Sequence, residues 1–245
     1  MTTSHCDARG DAFVQKMSSS CASDPLLQDS NTNWPPVDAD LDPRRKRSTS
    51  LIVLLTSEQV LERTLGAGEI SCPDCGARVV AWGFARQRVI RTLGSSRAII
   101  PRRARCSSCK KTHVVLPAEV VVRRRDDAGV IGRALLRAAN GARAGEISRE
   151  LGRSRETVRN WISRFTDNAL VAELIGTRTL FRFDVHADPM RLVWRSTPLA
   201  RAVEALGLCV AAFVRLFGPL TPTTTPWSVV NVVTGGHLLS AELSP

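Results

Sequence analysis

Two Cys-x-x-Cys pairs constrain the fold of this chain more than any other feature. Cys72-Pro73-Asp74-Cys75-Gly76 and Cys106-Ser107-Ser108-Cys109 stand with 30 residues between them. Two residues between thiolates let both sulfurs of a tight turn face one ion, and two such turns complete a tetrahedral shell. The intervening stretch must then double back, so short strands and a hairpin are expected there. Four sulfurs leave no open position, which points to Zn2+ held for structure rather than for catalysis. His113, four residues beyond Cys109, is read as a surface or packing residue. Cys6, Cys21 and Cys209 are read as free thiols or core filler.

Charge sharpens this segment. The 245 residues carry a net +11, yet residues 71–125 alone hold 13 cations and 2 acids. A diffuse solubility charge does not concentrate this way, whereas a polyanion-binding face does. Four bound thiolates around one Zn2+ add −2, leaving about +9 on the segment. Trp82 and Phe84 lie within it and are read as packing under a small metal unit, with base stacking as the alternative. Arg102, Arg103 and the run Arg123-Arg124-Arg125 are assigned to DNA phosphates.

Residues 1–50 read as a disordered tail, with Ser18-Ser19-Ser20, Pro35-Pro36 and no sustained periodicity. Its last charges, Arg44-Arg45-Lys46-Arg47, read as a solvated linker. Leu51 to Leu55 suits a buried strand, and Thr56 or Ser57 a cap for a short helix. Strand signals at 79–82, 89–91 and 98–100 complete a metal-bound unit over 51–125. From Asp127 the period turns helical, with Val130, Ile131, Ala134, Leu135 and Ala138 on one face. Thr179 to Phe183 is strand-like. Pro198 opens an amphipathic helix to about Phe217. Its stripe of Leu199, Val203, Leu206, Val210, Phe213, Val214 and Phe217 needs a partner surface, either this chain or a second copy, so a homodimer is one expectation. The predicted architecture is mostly α with a small β zinc ribbon: the ribbon, a three-helix helix-turn-helix over 126–175, and a helical C-terminal region over 176–245.

The helix-turn-helix rests on Glu146 to Trp161. Ile147 and Leu151 lie four apart, Gly152 can take the positive φ of the turn, and Ser154 can cap the second helix. Val158 and Trp161 then face inward. The outer face displays Arg155, Glu156, Arg159, Asn160 and Ser163, assigned to base edges, because Arg and Asn pair bidentately with guanine and adenine. Arg143 and Arg164 flank that face and are assigned to phosphates. Arg153 departs from the pattern, since an apolar residue is usual just after the turn glycine.

At these residues the chain resembles an uncharacterised bacterial family whose members hold a domain of unknown function with a helix-turn-helix. The segments that carry the resemblance are Cys72–Cys109, Thr112-His113-Val114-Val115-Leu116-Pro117, Arg123-Arg124-Arg125-Asp126, Thr157-Val158-Arg159-Asn160-Trp161 and Thr234-Gly235-Gly236-His237-Leu238-Leu239. It spans roughly residues 51–240. The family's first half is similar to the zinc-ribbon and helix-turn-helix region ahead of the catalytic domain in insertion-sequence transposases. The resemblance implies double-stranded DNA as a partner, and with it a transposase or recombinase.

The absence of tyrosine excludes tyrosine recombinases and relaxases. The acids after the helix-turn-helix are Glu173, Asp184, Asp188, Glu204 and Glu242. The roughly 75 residues that hold them read mostly as helix and linker, too short for the multi-stranded sheet that a three-carboxylate nuclease needs. Asp184-Val185-His186-Ala187-Asp188 reads as a polar loop. No apolar run reaches the length of a membrane span, and the start lacks signal-peptide order. The expectation is a cytoplasmic, nucleoid-associated, non-enzymatic, sequence-specific DNA-binding protein related to transposases or accessory to them. A transcriptional regulator, a zinc-dependent protein-interaction module and a metal-dependent nuclease are the other readings.

Overall fold

The computed structural model describes residues 50–54, 58–188, 195–220, 224–241 and 243. The tail with Arg44–Arg47, Cys6 and Cys21, and the caps expected at Thr56 and Ser57, lie outside the described residues. Leu51 to Leu54 form strand β1 (Ser50–Leu54) as expected, but its partner lies far along the chain. β1 pairs in parallel with β6 (Thr112–Pro117), with Leu51 opposite Val114 and Val53 opposite Leu116. β6 runs antiparallel to β5 (Arg102–Cys106), and β5 antiparallel to β2 (Val79–Phe84), giving the order β1-β6-β5-β2. β3 (Arg88–Arg91) and β4 (Ser96–Ile99) form a separate two-stranded hairpin, closed by a turn through Gly94 and Ser95 in which the Thr92 amide donates to the Ser95 carbonyl.

The sheet has a different neighbour on each face. Val79, Ala104, Cys106 and Val115 pack with Leu65 of helix α1 (Glu58–Ala67) and with Ile70 and Cys72. On the other face, Val53, Val114 and Leu116 join the core of the helical body. Ile90 of the hairpin is also buried in that core.

Among the described residues, six helices build the body. α2 (Ala128–Ala139) is central and touches α3 (Ala144–Leu151), α4 (Arg155–Asp167), α6 (Pro198–Phe217) and α7 (Pro226–Val233). α5 (Ala169–Phe183) lies along α6. The approach is close: a Cβ at Gly176 would stand 2.9 Å from the Ala205 and Leu206 backbone. The rings of Phe183, Phe213 and Phe217 meet at 4.8–5.9 Å. The α6 stripe is thus covered within the chain, which takes up the surface on which the homodimer expectation rested. Asn231 on α7 is fully buried and donates to the carbonyls of Ala118 and Val120. Gly236 packs against Val53 and Val122, where a Cβ would stand 2.9 Å from both side chains. The chain's last segment is thereby fastened to the sheet.

Two expectations are corrected. The architecture is mixed α/β rather than mostly α, because β5, β6 and the Leu51 run all enter one sheet. Arginines at 102, 103 and 105 hid β5 from a hydrophobic-alternation test. Residues 179–183 are helix, not strand: Ala172, Gly176 and Leu180 are buried at four-residue spacing and continue the α5 face. Among the described residues, no helix is long and apolar enough to cross a membrane.

Candidate metal centre and basic face

The two cysteine turns meet because β2 and β5 pair. Val79 stands opposite Cys106, so the strand leaving the first turn lies beside the strand entering the second. Gly76 has φ +71 and donates its amide to the Cys72 carbonyl, closing the first turn. The Cys72 and Cys109 sulfurs are 3.7 Å apart, and those of Cys75 and Cys106 are 3.5 Å apart. All four lie within 4.8 Å of one another. A tetrahedron of sulfurs at zinc–thiolate distance has edges of about 3.8 Å, so the set fits one ion of that size. Cys72 and Cys106 are buried, Cys75 and Cys109 exposed. Four cysteines that can hold one metal ion are therefore assembled as their spacing predicted.

Electrostatics differ across the cluster. Burial pushes the Cys72 thiol up to about 12. At Cys106 burial acts in the same direction, but the amides of Ser108 and Cys109 and the neighbouring thiols outweigh it, holding the group down at about 6. Asp74 accepts from Lys111 at 2.9 Å and raises the pKa of that lysine. His113 is the residue that spacing alone undervalued. It is fully buried, with Nε2 3.4 Å from the Cys72 sulfur. Burial lowers its pKa, which favours the neutral ring beside that sulfur. Among the described residues, Cys72, Asp74 and His113 form the other group close enough to share an ion.

The expected helix pair is present. Gly152 adopts φ 61, ψ 37 between α3 and α4, and Ser154 accepts from the Thr157 amide at 3.2 Å. Ile147, Leu151, Val158, Trp161 and Phe165 are buried. Arg155, Glu156, Arg159, Asn160, Ser163 and Arg164 are all exposed along α4, so the assigned face is open. Arg143 is exposed just before α3, where its amide donates to Glu146. Ser148 donates to the Arg153 carbonyl at 2.6 Å, tightening the turn.

Arg153 explains its own irregularity. It donates to Asp126 at 2.5 Å and to the Thr92 carbonyl at 2.8 Å. Asp126, whose side chain is 4 % exposed, also accepts from Arg91 at 2.6 Å. The backbone repeats the link: the Arg91 amide donates to the Arg125 carbonyl and the Asp127 amide to the Arg91 carbonyl. Asp127 next caps α2 through the Val130 amide. One acid thus clasps the β3–β4 hairpin to the turn that starts α4. A charged residue at a position that normally packs was the signal for this buried pair.

The assigned phosphate arginines are not equivalent. Arg123, Arg125, Arg143 and Arg164 are exposed. Arg102 is already engaged, donating to Glu62 at 2.8 Å and lying over the Phe84 ring at 4.3 Å. Arg103 is half-buried. Arg124 donates to the Leu239 carbonyl, and burial, followed by the nearby Arg164 guanidinium, lowers its pKa. The fold therefore brings Arg124 and Arg164 into electrostatic reach. Trp82 and Phe84, expected to pack inside, are 53 % and 57 % exposed. β2 is an edge strand, and among the described residues the two rings are covered on one side only, by the Arg105 and Arg102 guanidinium groups.

Residues 72–161 match DUF6431, a domain of unknown function. The DUF6431 segment opens on Cys72 and closes on Trp161, so it takes in both cysteine turns, the Asp126 clasp and the exposed start of α4. It leaves out β1, α1 and helices α5 to α7. No curated protein and no solved structure matches the chain.

Proposed function

We propose that this chain is a sequence-specific duplex-DNA-binding protein, built from a structural zinc ribbon and a helix-turn-helix. Zinc is the ion that best suits four thiolates in a tetrahedron, and a closed shell gives it a structural role. α4 enters the major groove with Arg155, Glu156, Arg159, Asn160 and Ser163 toward base edges. Arg123, Arg125, Arg143 and Arg164 take phosphates, which set register and orientation.

One observation carries the reading. The Asp126–Arg153 clasp holds the β3–β4 hairpin against the turn from which α4 starts, so the metal-bound unit and the exposed start of α4 are fixed to one another. An ordinary helical hairpin has no need of that arrangement. The likeness of the cysteine and helix segments to regions ahead of transposase catalytic domains supports a role in transposition, as a transposase relative or accessory without catalysis of its own.

The test is selection of bound duplexes from a random pool with the zinc-loaded chain. A defined site should emerge. Arg159→Ala or Asn160→Ala should relax it at one or two positions, with about 1–3 kcal/mol of discrimination lost at each. An unchanged preference would overturn the assigned reading face.

A further inference from the structure

We propose that the open edge of the sheet at β2 binds unpaired nucleic-acid bases, with Trp82 and Phe84, one on either side of that edge, as the stacking platforms. This goes beyond the duplex-binding reading, because it concerns another surface and another form of nucleic acid.

β2 buries only its first residue; Val80, Trp82 and Phe84 are 38 %, 53 % and 57 % exposed. A six-residue strand of sequence VVAWGF left open at a sheet edge is unusual, since such edges invite pairing. The rings are not bare. The Arg105 guanidinium lies 4.6 Å from the Trp82 ring centre, and that of Arg102 lies 4.3 Å from Phe84. Each ring therefore has one face covered by a flat cation. The strand bulges between Ala81 and Phe84, with φ +89 at Gly83, so Trp82 sides with Arg105 and Phe84 with Arg102 on opposite faces of the sheet edge, which leaves room for a base on each ring.

Charge selects the occupant. Between Asp74 and Glu119 the chain has ten cations and no acid. Edge-to-edge pairing with a second copy would bring two such surfaces together and is opposed by repulsion. A polyanion is favoured. Among polyanions, one with flat heterocycles uses both the rings and the guanidinium planes, while the remaining arginines meet its phosphates. In a duplex the bases are stacked on one another, so single-stranded or locally melted nucleic acid fits this edge.

The experiment is fluorescence anisotropy of the zinc-loaded full chain with a labelled oligo-dT of about 20 nucleotides and with a duplex of equal length. The native chain should bind both. Trp82→Ala with Phe84→Ala should weaken oligo-dT binding about tenfold or more, with duplex affinity changed by less than about twofold; Trp82→Phe should retain most binding. Both rings are more than half exposed, so circular dichroism should be unchanged. Loss of oligo-dT binding in the double variant supports the proposal even where no duplex binding is found, a result that would sink only the duplex reading. The proposal is overturned by a native chain that ignores oligo-dT, by a double variant that binds it undiminished, or by equal losses for duplex and single strand. Poly-glutamate binding as tightly, with the same variant dependence, would reassign the edge to acidic proteins.

Discussion

If Asp126 clasps the hairpin to the α3–α4 turn, then Asp126 and Arg153 must be energetically coupled. The Asp126 side chain is 4 % exposed and that of Arg153 13 %, so the pair is nearly dry. Breaking a buried pair by removing one partner costs about 3–5 kcal/mol. Arg91 remains beside Asp126 in Arg153→Met, but it is 44 % exposed and screened by water; this lowers the expected loss to about 2–3 kcal/mol. The bond to the Thr92 carbonyl adds about 1 kcal/mol. Asp126→Asn keeps the shape, loses the charge and should cost about 2 kcal/mol. The double variant should lose about as much as Arg153→Met alone, giving a coupling of about 2 kcal/mol. The assay is urea denaturation of the zinc-loaded chain at fixed free zinc, followed by tryptophan fluorescence. Single losses that simply add, with coupling below about 0.5 kcal/mol, would refute the clasp.

Three further outcomes follow from the geometry. The purified chain should carry one zinc per molecule; chelation should unfold the β2–β6 sheet, and affinity should fall steeply as pH drops, because each cysteine thiol must lose its proton to bind. Elemental analysis combined with circular dichroism before and after chelation checks this, and an unaltered spectrum argues against a structural metal. Cys209 is fully buried and its thiol is pushed up to about 12; it should resist iodoacetamide until the chain is unfolded, as read by peptide mass spectrometry. Gly176→Ala should cost about 2–3 kcal/mol in denaturant titration, since its Cβ would meet α6 backbone rather than a side chain that can move; a loss below about 0.5 kcal/mol would contradict the close approach.

The metal cluster was legible because it depends on spacing, and two matched turns leave the sulfurs little choice. The helix pair was legible because Gly152, Ser154 and the four-residue apolar period each mark a different part of it. The sheet was not, because its register is set by pairings across 60 residues, such as Leu51 with Val114, which no local pattern encodes. The exposure of Trp82 and Phe84 was misread for a related reason: a ring's burial depends on whether its strand is central or at the edge. Arg153 looked like a flaw in the helix pair until its partner, Asp126, 27 residues upstream, was seen beside it. His113 is a packing residue, one of the two roles expected of it, but it packs against Cys72, 41 residues away, a neighbour that its spacing from Cys109 does not encode.

The central claim is that a metal-held basic unit and the α4 face together grip a duplex. Affinity for duplex DNA measured against salt concentration tests it most directly. Four exposed arginines of the assigned set, Arg123, Arg125, Arg143 and Arg164, predict a slope of log K against log salt of about −4. That slope should shrink by about one unit when any one of them is changed to alanine. Absence of binding at low salt, or a slope near zero, would contradict the account.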